Sequence, residues 1–452
     1  MTGSPDLSGQ AIPRYVPALG DSEHAAIQRD YLAFLIDVAE QCGPLGRYQR
    51  RGRSVVLVSS SETARALLID GARDLTKGAL AHTAFRALLG ESLSMSEDDR
   101  HDRLRRLLTP LFSHRQMTRY AERIVRTAHT VGADWADDTD IDLFAELHRL
   151  TVHTLGRALV CEPSLWIETG QFWKARERLW LWINGLALQR RRLADEAADP
   201  LAPQIAAAII TVQEEIDEII RERQQRNWRP DDLLSDLLGA NACLVDPLHP
   251  SEVRDQIIAL LFAAHETSAA ALFWALYLLA RHPDVQERVD RELVDVRAAR
   301  LHEVADVTAL PYTRRVIKEA MRLYPPAARQ FRVAIRDTTL AGRFLPAGTA
   351  VSVCHYVLHR HQASFPEPDQ FDPERFAPGA HARPPLSYLP FGAGERICLG
   401  RHYAMQEIHL LLAVLLSRFR FEFPEAVAPY LAVTLRPHAT VRVRVRHRCL
   451  PL

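Results

Sequence analysis

The stretch that decides the fold reads FGAGERICLG and runs from Phe391 to Gly400. Gly392 and Gly394 permit a tight loop with positive φ angles, so that backbone N–H groups can turn toward the sulfur of Cys398. The apolar segment after this cysteine predicts a helix, and the positive end of a helix dipole favours an anion. Both effects favour a thiolate that binds a metal. The loop alone leaves a second interpretation open, because most unpaired cysteines act as small hydrophobic residues.

Length and composition are those of a globular protein. Of the 452 residues, 47% are hydrophobic and 25% are charged, and the 56 basic residues balance the 56 acidic ones. These values exclude whole-chain disorder and a protein held to nucleic acid or to an anionic membrane by bulk charge. The six cysteines form no CxxC pair, and residues 1–40 contain no apolar signal core. We therefore expect a reduced, cytoplasmic protein.

One apolar stretch, Ile257 to Ala280, is long enough to cross a bilayer. Its middle reads His265-Glu266-Thr267-Ser268, and ionisable groups at a bilayer centre are costly. We expect the central helix of a soluble core and no membrane span. An acid beside a hydroxyl in such a helix suits proton delivery to a buried reactant. A threonine bonded to its own helix and a glutamate in a core ion pair would give the same sequence.

The rest of the chain predicts a mainly α fold with a small β part. Helical periodicity dominates residues 62–323 and returns after Cys398. Residues 325–397 hold short β-branched runs broken by turns, and further strands are predicted at Ser54–Val58, Phe419–Phe423 and Val441–Val445. No linker divides the chain, so we expect one domain over residues 1–452, with residues 1–30 as an irregular N-terminal extension.

The segment Phe391–Gly400 resembles the haem-binding loop of the cytochrome P450 family, and it fills every fixed position of the pattern FxxGxRxCxG. Five fixed residues at fixed spacing rarely coincide by chance. The resemblance implies a single cytochrome P450-type fold around a buried haem b. It also implies that Cys398 is the thiolate ligand of the iron, with Phe391, Arg396 and Gly400 in the loop that binds the haem.

Glu319 and Arg322 form an ExxR pair on one helix face. The spacing alone has little meaning, because Glu218–Arg221 repeats it as a solvated surface pair. The following Tyr324-Pro325-Pro326 and the later Asp372-Pro373-Glu374-Arg375-Phe376 distinguish the first pair. In cytochromes P450 the ExxR pair and the arginine of the later motif form a buried network that supports the haem loop. The resemblance therefore implies a structural role for Glu319, Arg322 and Arg375.

The segment Ala263–Ser268 resembles the family pattern (A/G)Gx(D/E)T(T/S). By this resemblance Glu266 and Thr267 are the catalytic acid and alcohol, with Glu266 relaying protons while oxygen is activated. Ala264 stands where the family usually has glycine, and we expect its methyl group to tune the rate or the pocket shape.

The resemblance also implies residues that contact the two haem carboxylates, for which arginine and histidine are the natural partners. These are His101 and Arg105 on one predicted helix, Arg332 after the Pro325-Pro326 pair, and Arg396 in the cysteine loop. Each taken singly is an ordinary surface charge, so only the set at family positions supports the assignment.

Five segments match the substrate-recognition regions of the family. They are Gly78–Leu93, Trp166–Leu193, Leu260–Thr267, Ala327–Phe331 and Ala432–Leu435. Their composition favours a largely apolar substrate with a few polar groups. At near-helical spacing, Trp173, Trp180 and Trp182 are more typical of a core than of a pocket.

The implied activity is insertion of one oxygen atom from O2 into an apolar small molecule by hydroxylation or epoxidation, in bacterial secondary or lipid metabolism. Electrons would come from a separate ferredoxin or flavodoxin and its reductase, docked through Arg103, Arg106 and Arg401, on a monomer that binds no nucleic acid. Oxidative coupling or cyclisation stays open. A peroxygenase, an isomerase or a haem carrier is disfavoured by the acid–alcohol pair.

Overall fold

A computed structural model describes residues 11–17, 22–50, 52–78, 85–161, 170–187, 202–226, 228–298, 310–423 and 426–448. The chain divides into two compact units, residues 1–79 with 318–398, and residues 80–317 with 399–452. One domain over the whole chain stays a prediction.

The described helices are α1 (Glu23–Arg29), α2 (Tyr31–Cys42), α3 (Ser61–Arg65), α4 (Asp98–Leu108), α5 (His114–Val131), α6 (Leu143–Leu159), α7 (Gln171–Ala187), α8 (Ala202–Arg226), α9 (Leu233–Ala242), α10 (Pro250–Arg281), α11 (Pro283–Ala298), α12 (Pro311–Leu323), α13 (His355–Leu358) and α14 (Arg401–Arg418). The strands are β1 (Leu45–Arg50), β2 (Arg53–Val58), β3 (Leu75–Thr76), β4 (Thr139–Asp142), β5 (Arg329–Ala334), β6 (Thr338–Leu340), β7 (Arg343–Leu345), β8 (Ala350–Cys354), β9 (Phe419–Glu422), β10 (Pro429–Leu431), β11 (Leu435–Pro437) and β12 (Arg442–His447). The mainly α fold with a small β part is confirmed.

The first unit is organised around a five-stranded sheet of order β1-β2-β8-β5-β3, next to the two-stranded pair β6-β7. Strands β1 and β2 form an antiparallel hairpin whose turn holds Gly52 at φ 72°. Strand β2 pairs in parallel with β8, and β8 pairs antiparallel with β5. The predicted strand Ser54–Val58 lies inside the sheet, between β1 and β8. Its residues Val56, Leu57 and Val58 are buried there, as a run of β-branched residues favours.

The N-terminal expectation was wrong in part. Residues 23–29 are helix α1, because Ser22 caps it by accepting a hydrogen bond from the backbone N–H of Ala25. Asp30 caps α2 in the same way. The side chains of Ile12 and Tyr15 are buried, which gives this part of the chain a place in the core. Residues 1–10 and 18–21 lie outside the described part.

The second unit is helical around α10. His249 and Glu252 form a capping box at its start, and Pro250 occupies the first turn, where its missing N–H costs nothing. Helices α6, α8 and α14 pack against α10. Among the described residues it is the one helix long and apolar enough to cross a membrane, and 78% of its most apolar window is buried inside the protein. The prediction of a buried central helix is confirmed.

Candidate functional site

The cysteine loop is a closed turn. The backbone N–H of Cys398 donates to the carbonyl of Phe391 at 2.9 Å, and a 3₁₀ turn at Gly394–Arg396 lies within it. Cys398 itself is an exposed residue. Helix α14 begins at Arg401 with Gly400 as its N-cap, and Cys398 therefore lies two residues before the cap.

The two glycines of the loop have different reasons to be glycine. Both adopt positive φ, 71° at Gly392 and 72° at Gly394. A Cβ on Gly394 would lie 2.2 Å from the backbone oxygen of Leu68, which cannot move away as a side chain can. A Cβ on Gly392 would meet only the flexible amide of Gln330, at 2.5 Å. Gly394 is therefore the stricter requirement, and it is the glycine that the family pattern fixes.

Lys77 of the first unit lies close enough to Arg396 and Arg332 to be repelled by both. Burial lowers the pKa of Lys77 to about 7, and repulsion from Arg396 and Arg332 adds to the effect. Burial also lowers the pKa of both arginines. A ligand with two negative charges would relieve the repulsion at Lys77, and the two carboxylates of a haem fit this set of donors. Arg332 and Arg396 were expected here, whereas Lys77 was missed.

Glu319, Arg322 and Arg375 come together, as the sequence predicts. The Glu319 Oε2 accepts from Arg322 Nε at 2.7 Å, and Oε1 accepts from Arg322 Nη2 at 2.8 Å. Arg375 Nε lies 3.3 Å from the same Oε1. Glu319 and Arg322 are fully buried. Their charges are thus paired and hydrogen-bonded, which is what a buried ion pair requires.

A chain of contacts continues from this network toward the cysteine loop. Arg322 Nη1 donates to the carbonyl of His359 at 3.0 Å, and the Nε2 of His359 accepts from the backbone N–H of Leu389 at 2.8 Å. The carbonyl of Leu389 in turn accepts from the N–H of Gly392 at 3.1 Å. Burial holds the pKa of His359 well below its usual range, so the ring stays neutral and can accept. Sequence reasoning missed His359, because its motif offers no acid–base or metal-ligand spacing.

His101 and Arg105 share one face of α4, one turn apart. His101 is buried and Arg105 is half-buried. Arg103 on the same helix pairs with Asp246 at 2.7 Å, whereas Arg106 is exposed. Of the three arginines predicted to dock a redox partner, Arg103 thus has its charge partly compensated.

Glu266 on α10 is buried with both carboxylate oxygens lacking a hydrogen bond from the described residues. Burial raises its pKa to about 7, against the opposing influence of Arg436, the Thr434 hydroxyl and Arg176. The nearest of these cations, Arg436, lies 3.7 Å from Oε1 and is 27% exposed. A carboxyl with a pKa near the working pH is suited to carry protons in both directions.

The Thr267 hydroxyl donates to the carbonyls of Ala263 and Ala264, each at 3.1 Å. This is the back-bonded geometry that the sequence left open. The hydroxyl has one proton and two lone pairs, so an oxygen that donates to its own helix can still accept from a neighbour.

A cavity of about 180 Å³ adjoins this pair in the second unit. Four of the five segments predicted as substrate-recognition regions line it or end beside it. The lining residues are Phe85, Leu89, Ser94, Trp180, Ala259, Phe262, Ala263, Glu266, Thr267, Val433 and Thr434. Trp180 is among them, which corrects the expectation that it is more typical of a core than of a pocket. Trp182 is partly exposed, and the side chain of Trp173 lies outside the described part.

Behind the pair lies a second buried acid, Glu407 of α14. Its Oε2 accepts from Ser268 at 2.6 Å, and its Oε1 accepts from Thr154 at 2.7 Å and from Tyr403 at 3.2 Å. Burial raises the pKa of Glu407 to about 7, and these hydroxyl donors oppose the shift. Ser268, the residue after Thr267, is therefore hydrogen-bonded to α14, the helix that follows the cysteine loop.

Comparison with known proteins agrees with this architecture. The chain is similar to the structure of the cytochrome P450DA heme domain, with a TM-score of 0.85, 25% identity and coverage of 97% of this chain and 98% of the other. It is similar to a retinoic acid-bound cyanobacterial cytochrome P450, CYP120A1, with a TM-score of 0.83, 26% identity and coverage of 98% and 100%. The fold is therefore that of a cytochrome P450 haem domain.

The family model for cytochrome P450 matches residues 12–435, and the chain belongs to that family. Cyclooctat-9-en-7-ol 5-monooxygenase of Streptomyces melanosporofaciens is 32% identical over 90% of this chain and 88% of its own. Pentalenene oxygenase of Streptomyces avermitilis is 31% identical over 96% and 97%. The protein is a haem-dependent cytochrome P450 monooxygenase, and the resemblance drawn from the cysteine loop is confirmed.

Proposed function

We propose that the enzyme inserts one oxygen atom from O2 into a largely apolar, cyclic small molecule of terpenoid type, in the cytoplasm of a bacterium. The observation that carries this proposal is the cavity at Glu266 and Thr267, whose other walls are mostly aromatic and aliphatic. Two relatives named for pentalenene and cyclooctat-9-en-7-ol support a hydrocarbon-rich substrate.

The cofactor is haem b, held through Cys398. A haem with a thiolate ligand supplies the activation of oxygen. Arg332, Arg396 and Lys77 neutralise its carboxylates, with His101 and Arg105 as further partners. Phe391 and Gly400 shape the loop, and Glu319, Arg322 and Arg375 keep it in place through His359 and Leu389.

Glu266 moves protons toward the reaction, and the Thr267 hydroxyl oxygen accepts a hydrogen bond on that path while its own proton stays directed at the helix carbonyls. The raised pKa of Glu266 lets the carboxyl both hold and release a proton near neutral pH. We propose that protons reach the carboxyl from the side of Arg436, the partly exposed group beside Glu266. The aromatic walls at Phe85, Phe262 and Trp180 exclude bulk water from the substrate.

The test of the assignment is the absorption spectrum of the dithionite-reduced protein with carbon monoxide. We expect a strongly red-shifted Soret band in the wild type and its loss in Cys398→Ala. The matched control is Cys243→Ala, since Cys243 is exposed and outside the loop. A shifted band that survives in Cys398→Ala would contradict the proposed ligand.

Electrons come from a separate ferredoxin or flavodoxin and its reductase, and the enzyme acts as a monomer. We propose that an acidic surface of the partner docks at Arg106 and Arg401, with Arg103 contributing less because of its pairing with Asp246. Charge reversal of Arg106 and Arg401 should slow reduction and flatten its salt dependence. Reduction rates that ignore both salt and charge reversal would contradict this docking surface.

A further inference from the structure

The cavity beside Glu266 has an apolar lining with one polar corner. Two elements meet there: α10 contributes Glu266, and the turn between β10 and β11 contributes Thr434. Both side chains are almost fully buried, with 1% and 2% of their surface exposed. Two neighbouring polar groups in the wall of an otherwise apolar cavity define a small and directional feature.

Neither group has its hydrogen-bonding capacity filled from the described residues. Both carboxylate oxygens of Glu266 and the hydroxyl oxygen of Thr434 are buried without a hydrogen-bond partner there. The Thr434 hydroxyl lies close enough to stabilise the carboxylate charge, but not in hydrogen-bond geometry. Buried polar groups left in this condition are costly, and most are satisfied by a partner in the working protein.

The other polar side chains at the cavity are already engaged. Thr267 donates to two carbonyls of its own helix, and the Ser94 hydroxyl contacts that of Ser92 at 2.8 Å. The unfilled capacity is thus one acceptor group, the carboxylate, beside one hydroxyl that can donate. A ligand group that satisfies both must itself donate and accept.

An alcohol is the smallest group on an apolar skeleton that does this. We propose that Thr434 and Glu266 form a subsite that binds a hydroxyl group already present on the substrate, with the Thr434 hydroxyl donating to it and the Glu266 carboxylate accepting from it. This inference rests on the proposed function, and it narrows the substrate from an apolar compound to an apolar alcohol.

The subsite also assigns the enzyme a place in a reaction sequence. Its substrate must come from a step that installs oxygen on a hydrocarbon skeleton, which is either an earlier hydroxylation or a cyclisation that ends by capturing water. The product then carries a second oxygen. The subsite holds the first hydroxyl in place, so it also fixes which carbon of the skeleton is presented for oxidation.

The experiment measures calorimetric dissociation constants of two probes of nearly equal shape, 1-adamantanol and 1-methyladamantane, on the haem-loaded enzyme. We expect the alcohol to bind about 10-fold more tightly, because a hydrogen bond to a charged group contributes more than one between neutral groups. Thr434→Val removes the donor at nearly constant volume and should bring the ratio close to one. Thr434→Ser keeps the hydroxyl and should keep the preference.

Equal binding of the two probes, a preference for 1-methyladamantane, or undetectable binding of 1-adamantanol would overturn the subsite. So would a preference that Thr434→Val leaves intact. These outcomes are distinct from failure of the proposed function, because the carbon monoxide spectrum of the same samples reports the thiolate-bound haem independently of the probes.

Discussion

Glu319 and Glu266 are both buried glutamates close to two arginines, yet their surroundings differ. Glu319 receives three hydrogen bonds of 2.7 to 3.0 Å, two from Arg322 and one from the backbone N–H of Asp372. Glu266 receives none from the described residues, and its nearest arginine nitrogen is 3.7 Å away. Burial raises the pKa of Glu266 to about 7.

Under the proposed function, this difference separates a glutamate that supports the haem loop from one that carries protons. A buried charge with its hydrogen bonds filled is held in one state and one geometry. A buried carboxyl without them changes protonation at little cost near neutral pH, and this property concentrates at functional sites. We therefore infer that the same residue type beside the same kind of cation serves two purposes, decided by the hydrogen bonds that each carboxylate receives.

The largest expected effect is on the supporting side. Arg322→Ala leaves the Glu319 carboxylate buried without its main partner, and we expect a loss of about 3–5 kcal/mol in the free energy of unfolding. Urea unfolding followed by circular dichroism measures it. Arg221→Ala is the matched control, an exposed arginine with the same ExxR spacing, and should cost less than about 0.5 kcal/mol. Equal losses in the two variants would mean that the buried pair contributes no more to the free energy of unfolding than an exposed pair does.

The reactive side should respond in turnover instead of stability. Glu266→Gln keeps the shape but removes the proton carrier, so we expect product formation to fall by about 100-fold, the low end for acid–base catalysis. Unfolding at pH 8 should be unchanged or shifted to higher urea, because a buried charge is removed. Glu177→Gln alters an exposed acid next to Arg176 and serves as the control. A variant that unfolds more easily while keeping full turnover would reverse the two assignments.

Glu407 is a third buried glutamate, and its hydrogen bonds come from hydroxyl groups. It tests whether such a glutamate behaves like Glu319 or like Glu266. Its pKa is raised to about 7 in the folded protein, so the folded state binds a proton more tightly than the unfolded chain does. Its contribution is present at low pH and is lost as pH rises from about 4.5 to about 7. At about 1.4 kcal/mol for each pKa unit, the total is up to ~3 kcal/mol.

The measurement is the difference in unfolding free energy between the wild type and Glu407→Gln across pH 5 to 8. The difference removes the contributions of the buried histidines, which are common to both proteins. We expect the wild type to lose stability relative to the variant over this range. A difference that stays constant with pH would show that Glu407 keeps one protonation state throughout.

The sequence predicted those parts of the site whose residues lie close together along the chain. The cysteine loop, the ExxR pair and the acid–alcohol pair each have their chemistry within ten residues, and the structure brings Glu319, Arg322 and Arg375 together as expected. Lys77, His359 and Arg436 were missed, because their partners are distant in sequence, and Thr434 was predicted only as part of the substrate-recognition segment Ala432–Leu435. One signal was available for Lys77. The chain contains only three lysines, so each lysine in this arginine-rich sequence is a candidate for a specific role.

The smallest expected effect concerns Arg436, which moderates Glu266. Removing this cation in Arg436→Gln should raise the pKa of Glu266 further, because the charged carboxylate loses an attractive partner. We expect a shift of about one unit, at the low end for an adjacent charge, since Arg436 is partly exposed and Arg176 still faces the carboxyl from α7.

Infrared titration of the protonated carboxyl stretch, assigned by its absence in Glu266→Gln, gives the midpoint directly. Arg436→Lys keeps a cation at the position and should leave the midpoint closer to that of the wild type. The facing groups in this environment are Arg176, Thr434 and the buried His265, whose pKa burial lowers so that it stays neutral over the range. An unchanged midpoint in Arg436→Gln would mean that Arg436 has no influence on the pKa of Glu266. The difference between Glu266 and Glu319 would then come from their hydrogen bonds and not from this arginine.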